Sequence, residues 1–99
     1  MHKNFLQWVN GNLELFTGWG LTVQTLDFES ESQTNPSRAV DFVSKKRMGR
    51  ITVWESGAAY LEVLDFESGD SIFDEHKDLG MQVDYTKAFE RFFDEMRAN

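Results

Sequence analysis

The chain has 99 residues, 40% hydrophobic and 14% aromatic, which is enough for one folded domain with its own core. Seventeen acidic against ten basic residues give a net charge of −7 at pH 7, so the surface should repel nucleic acids and anionic membranes. The absence of cysteine excludes disulfides and thiolate sites, and no segment resembles a signal peptide or a membrane span. We therefore expect a single cytoplasmic domain over residues 1–99.

The N-terminal segment has the periodicity of an amphipathic helix. Its apolar residues recur at intervals of four, four and three and would form one buried stripe: Phe5, Val9, Leu13 and Phe16. Gly18 and Gly20 are expected to end this helix, because glycine adopts the left-handed conformation at helix ends.

Five strands are predicted next, over residues 21–25, around Val40 and Phe42, and over 50–55, 59–66 and 71–77. Polar residues 30–37 form a loop, the basic residues 45–49 a turn, and 68–70 a tight hairpin turn. These connections are too short for parallel crossovers, so the sheet should be largely an antiparallel meander.

A second helix is predicted at the C-terminus. Asp84 is a good N-cap, and the apolar stripe that follows comprises Tyr85, Phe89, Phe92 and Met96. The sequence therefore predicts an α+β fold in which an N-terminal helix and a C-terminal helix cover a five-stranded sheet.

The charges are segregated along the chain. Residues 38–50 contain five bases and one acid, whereas residues 55–78 contain eight acids and one base, a net charge of −7. The acidic segment includes the predicted hairpin, and its candidate contacts with a basic partner are Asp65, Glu67, Asp70, Asp74 and Glu75. The alternative is a solvated acidic face without a partner.

Catalytic and metal-binding motifs are weak. His76 could serve as a general base, or as a metal ligand beside Asp74, but an exposed histidine is the simpler interpretation. Ser56 lacks the first glycine of a nucleophile elbow, and the oxygen-rich residues 65–70 do not have the spacing of a calcium loop. We therefore expect no catalytic residues, no cofactor and no metal, and hence no enzymatic activity.

Trp54 belongs to the predicted third strand, where Ile51 and Val53 are the better core candidates. Trp54 should then point to the opposite face of the sheet. If a helix covers that face, Trp54 is a core residue, which is the arrangement we favour; if the face is open, Trp54 is a candidate anchor for a binding partner.

Three segments carry a resemblance to a known family: residues 47–57 (RMGRITVWESG), 60–65 (YLEVLD) and 73–76 (FDEH). Together they resemble the TriTu family of bacterial immunity proteins, which includes antidotes from contact-dependent growth inhibition systems. The resemblance implies a cytoplasmic protein that binds the toxin domain delivered by a neighbouring cell and blocks its active site. It further implies that the toxin is a nuclease acting on transfer RNA, with elongation factor Tu as a co-partner of the toxin.

Two other functional classes remain open at the level of the sequence. An acidic adaptor or a chaperone-like interaction module would share the same composition and charge. A small enzyme of an unrecognised type is the third class, and the missing catalytic constellations argue against it.

Overall fold

The computed structural model describes residues 2–25, 36–80 and 84–97. Its elements are α1 (His2–Gly11), α2 (Leu13–Gly18), β1 (Thr22–Thr25), β2 (Ser37–Val43), β3 (Arg47–Trp54), β4 (Ala58–Asp65), β5 (Ser71–Asp78), α3 (Tyr85–Ala88) and α4 (Glu90–Arg97). The predicted α+β class is confirmed. No helix in the described ranges is long and apolar enough to cross a membrane.

The five strands form one sheet in the order β1-β2-β3-β4-β5, and every neighbouring pair is antiparallel. The predicted meander is therefore confirmed. Most of the predicted loop over residues 30–37 lies outside the described residues, but Ser37 already belongs to β2. A register shift between Val63 and Leu64 marks an irregularity where β4 pairs with β5.

One face of the sheet carries the core. Side chains of β2, β3 and β4 that alternate along each strand are fully buried there, as period-two strands require: Val40, Phe42, Ile51, Val53, Leu61 and Val63. The helices α1, α2 and α4 contact this sheet, and their aromatic residues pack against one another above it. Phe93, for example, lies edge-on to Phe42 at 5.1 Å between ring centroids and stacks on Phe16 at 5.4 Å.

The N-terminal helix is interrupted, which the periodicity did not predict. Asn12 leaves helical geometry (φ −124°, ψ 18°), and its side-chain amide donates a hydrogen bond to the carbonyl of Trp8 at 2.7 Å. The interruption changes the face that the following residues present. Phe5, Val9 and Phe16 are buried as predicted, but the expected burial of Leu13 is wrong, since it is 43% exposed.

The C-terminal helix begins as predicted. Asp84 caps it, accepting a hydrogen bond from the backbone N–H of Lys87 at 3.3 Å. The expected single helix is divided into α3 and α4 at Phe89 (φ −105°, ψ 15°), although backbone hydrogen bonds continue on both sides of it. The predicted stripe is buried throughout: Tyr85, Phe89, Phe92 and Met96.

Gly49 lies inside β3, so the predicted basic turn over residues 45–49 was too long. The turn ends at Lys46, and Gly49 pairs with Phe42 on one side and Val63 on the other. A Cβ at this position would lie 2.5 Å from Cζ of Phe92 and 2.7 Å from the sulfur of Met96. Glycine is required here because α4 packs directly onto the backbone of the strand.

We expect Gly49→Ala to lower the free energy of unfolding by about 1–3 kcal/mol, because the added methyl group displaces Phe92 and Met96. The matched control is Gly11→Ala, where the methyl group meets nothing within 4 Å and the effect should stay within about 1 kcal/mol. Urea denaturation of both variants measures this difference. Equal stability of Gly49→Ala and wild type would contradict the close approach of α4.

Candidate functional site

The second face of the sheet, opposite the core, is the main candidate for function. No helix in the described part of the chain packs on it. We call it the helix-free face and define it by the outward-pointing residues of its four longest strands: Ser37, Ala39, Asp41 and Val43 of β2; Met48, Arg50, Thr52 and Trp54 of β3; Ala58, Tyr60, Glu62 and Leu64 of β4; Asp74, His76 and Asp78 of β5.

A row of charged residues crosses the helix-free face. The register aligns four of them, one from each strand: Asp41, Arg50, Glu62 and Asp74. Arg50 donates two hydrogen bonds to Asp41, from Nε to Oδ1 at 2.7 Å and from Nη2 to Oδ2 at 3.1 Å. This bidentate bond raises the pKa of Arg50 and satisfies the carboxylate of Asp41, which is only 7% exposed.

Glu62 and Asp74 lie directly opposite each other at the end of this row. Like charges in that position repel across the strands. The Tyr60 hydroxyl donates a hydrogen bond to Glu62 at 3.3 Å. The pKa of Tyr60 is raised, mainly by desolvation and to a smaller extent by the negative charge of Glu62. Asp74 is exposed and has no ion pair with any residue in the described ranges.

Aromatic side chains occupy the neighbouring part of the face. Tyr60 and His76 are register partners, and their rings lie 4.5 Å apart between centroids. Trp54, at the end of β3, is half-buried. The expectation that Trp54 is a core residue is therefore wrong, because the helices pack on the other side of β3. The structure instead has the alternative arrangement, in which the face is open and Trp54 is a candidate anchor for a binding partner.

The acidic hairpin between β4 and β5 is a separate feature at one end of the sheet. Asp65 organises its turn by accepting hydrogen bonds from the Glu67 N–H at 3.2 Å and the Ser68 hydroxyl at 3.4 Å. Glu67 and Asp70 are exposed, as predicted for a projecting turn. Phe66 is 53% exposed and donates its backbone N–H to the carbonyl of Lys46 at 2.9 Å.

The basic turn between β2 and β3 therefore lies beside the acidic hairpin. Lys45, Lys46 and Arg47 line one cleft together with residues 65–67 of the hairpin. Arg47 pairs with Glu95 of α4 at 3.5 Å, whereas neither lysine forms an ion pair with a described residue. The charge of this end of the sheet is consequently mixed, which reduces the net field of the hairpin.

The six residues predicted to contact a partner fall into three places. Asp65, Glu67 and Asp70 belong to the hairpin, while Asp74 and Trp54 lie on the helix-free face. Trp54 is about 24 Å from the hairpin, the length of an eight-residue strand.

Glu75 faces the helices instead. Its side chain forms ion pairs with Lys77 and Arg91, both at 3.7 Å. Strand neighbours point to opposite faces, so Asp74 and Glu75 cannot serve one flat interface.

The geometry provides no catalytic constellation among the described residues. Ser56 lies in the turn between two antiparallel strands, which is not the strand-to-helix turn of a nucleophile elbow. His76 contacts Tyr60 rather than a nucleophile. No three histidine or carboxylate side chains converge as a metal site within residues 2–25, 36–80 and 84–97.

Two features of the surface were not predicted from the sequence: the Asp41–Arg50 pair and the ring contact between Tyr60 and His76. Each joins residues of different strands, and the register alone brings them together. The alternation of polar and apolar residues in β3 and β4 was the available signal, since it placed Arg50 and Tyr60 away from the core.

A match to a known protein family covers almost the entire chain. The family model described as "Immunity protein TriTu" matches residues 3–95, which is nearly the whole chain and includes all six candidate contact residues. No curated protein sequence matches the chain significantly.

We expect Trp54→Ala to reduce the free energy of unfolding by roughly half as much as Phe42→Ala, because the cost follows the apolar area removed from water. Phe42 is fully buried and its loss should cost about 3–5 kcal/mol, whereas Trp54 is half-buried on the helix-free face. Urea denaturation of both variants tests this order. Equal or greater loss for Trp54→Ala would mean that Trp54 is part of the core.

Proposed function

The chain belongs to the TriTu family of immunity proteins, and from this premise we propose that it neutralises a cognate toxin domain by binding it, without catalysis. The family match over residues 3–95 is the observation that carries this proposal.

We propose further that the toxin is a transfer-RNA-cleaving nuclease of a contact-dependent growth inhibition system and that the immunity protein meets it in the bacterial cytoplasm. A nuclease of this kind needs a basic groove for its RNA substrate. A protein with a net charge of −7 complements such a groove and would mask it. Elongation factor Tu is a further partner in this proposal, reached through the toxin, while direct binding of nucleic acid is not expected.

Co-expression tests the proposal. The toxin domain encoded beside this chain should arrest growth when expressed alone, and the arrest should be relieved when this chain is expressed with it. Intact transfer RNA in the rescued cells, seen by gel electrophoresis, would identify the substrate. A neighbouring domain that cells tolerate without this chain would overturn the proposal and favour an acidic adaptor or a chaperone-like module.

The acidic hairpin is the candidate for electrostatic steering of the encounter. Glu67 and Asp70 are exposed at a turn, so Glu67→Lys with Asp70→Lys should slow association while leaving the fold stable. The slowing should shrink as salt rises, because screening acts over about 10 Å at 0.1 M.

The matched control reverses two exposed acids of α4, Glu90→Lys with Asp94→Lys, which changes the net charge by the same amount on the helix side. Stopped-flow association with purified toxin at two salt concentrations measures the rates. Equal rates for the hairpin variant and wild type, at low salt, would exclude steering by the hairpin.

A further inference from the structure

The helix-free face has the composition of a contact surface rather than of a fully solvated one. Five uncharged residues of β3 and β4 on this face are half-buried although no described helix covers them: Met48, Thr52, Trp54, Tyr60 and Leu64. Tryptophan and tyrosine are the residue types that most often dominate binding energy at protein interfaces. Trp54 and Tyr60 lie on neighbouring strands, and Tyr60 pairs with Thr52, two residues before Trp54, so one partner surface can contact both.

The size of this face suits a protein partner. Strands spaced about 4.8 Å apart with a rise of about 3.4 Å per residue give a sheet surface of roughly 20 by 25 Å. The flat area of such a surface is about 500 Å², and its accessible area is larger because side chains project from the sheet. A standard interface buries about 800 Å² on each partner, so the face and a narrow rim around it would suffice.

The charges of the face indicate the chemistry of the partner. It carries four acids (Asp41, Glu62, Asp74 and Asp78) and a single base, Arg50, within the described strands. Both hydrogen bonds of Arg50 go to Asp41, although Arg50 also lies opposite Glu62 and is attracted by its charge. Asp74, on the far side of Glu62, forms no ion pair with a described residue, so its repulsion with Glu62 is only partly offset. A lysine or arginine from a partner, placed between these two carboxylates, would remove that repulsion.

We propose that the helix-free face is the surface on which the toxin domain docks, with Trp54 and Tyr60 packed against the toxin and a toxin lysine or arginine bound between Glu62 and Asp74. This inference rests on the proposed function and specifies its surface. The hairpin would then steer the approach, while the face sets the lifetime of the complex. A second copy of the chain is a poor occupant, because its own acidic face would add to the repulsion.

The test compares dissociation of the purified toxin complex for wild type and two variants. Trp54→Ala should dissociate about 30-fold faster or more, as expected for a tryptophan that anchors the contact. Asp74→Lys should weaken binding at least about tenfold because it opposes the incoming cation. Its melting temperature should equal or exceed that of wild type, since the new lysine faces Glu62.

Two matched controls lie away from the face. Leu15→Ala shortens an exposed apolar side chain of α2, on the helix side, and Glu90→Lys makes the same charge change on α4. Both should dissociate at nearly the wild-type rate. Biolayer interferometry with immobilised toxin gives the rates, thermal unfolding of each free variant gives its stability, and gel filtration gives the oligomeric state of the free wild type.

The outcomes separate the two proposals. Toxin binding by wild type that is unaffected by both Trp54→Ala and Asp74→Lys would overturn the docking surface and leave the proposed function intact. No binding by wild type would overturn the proposed function itself. If Trp54→Ala unfolds, Asp74→Lys alone decides. A wild-type dimer that Asp74→Lys dissociates without any effect on the toxin would assign the face to self-association and overturn the inference.

Discussion

The packing of helical aromatic residues onto one face of the sheet is the constraint on which the rest of the structure depends. Phe16, Phe92 and Phe93 meet Phe42 above the sheet, and α4 approaches closely enough that β3 needs a glycine at position 49. Because side chains alternate along a strand, the face on which the helices pack also determines which way every other residue of the sheet points. The residues between the buried ones, including Trp54 and Tyr60, are directed away from the helices.

The roles that we propose for two surfaces rest on this arrangement. The hairpin projects exposed carboxylates at one end of the sheet, where we propose that they steer the approaching toxin, but Lys45 and Lys46 lie beside it and weaken its field. The helix-free face combines aromatic residues with Asp74, a carboxylate that forms no ion pair with a described residue, and this combination suits short-range contact. Charges at an interface rim mainly change association, whereas packed central residues mainly change dissociation.

The sequence predicted the elements well where the physical signal was local. The alternation in β3 and β4, the cap at Asp84 and the short connections led to the correct sheet and the correct C-terminal stripe. The break at Asn12 was missed because the spacing of the apolar residues fitted an uninterrupted helix.

The candidate site was harder to predict, because the sequence of β5 does not indicate which of its residues face the core and which face outward. Ile72 and Phe73 are adjacent apolar residues and give no alternation, so the sequence could not show which of Asp74 and Glu75 faces the helices. The charged row and the ring contact between Tyr60 and His76 depend on the pairing of different strands, which composition does not encode.

The three tryptophans of the chain provide the most direct measurement. Trp8 and Trp19 pack among the helical aromatics, whereas Trp54 lies on the helix-free face. In a two-dimensional NMR spectrum, the indole N–H signal of Trp54 should shift on addition of the purified toxin domain, while the signals of Trp8 and Trp19 stay close to their free positions. A saturated complex in which the Trp54 signal does not move, or in which Trp8 and Trp19 move instead, would contradict docking on this face.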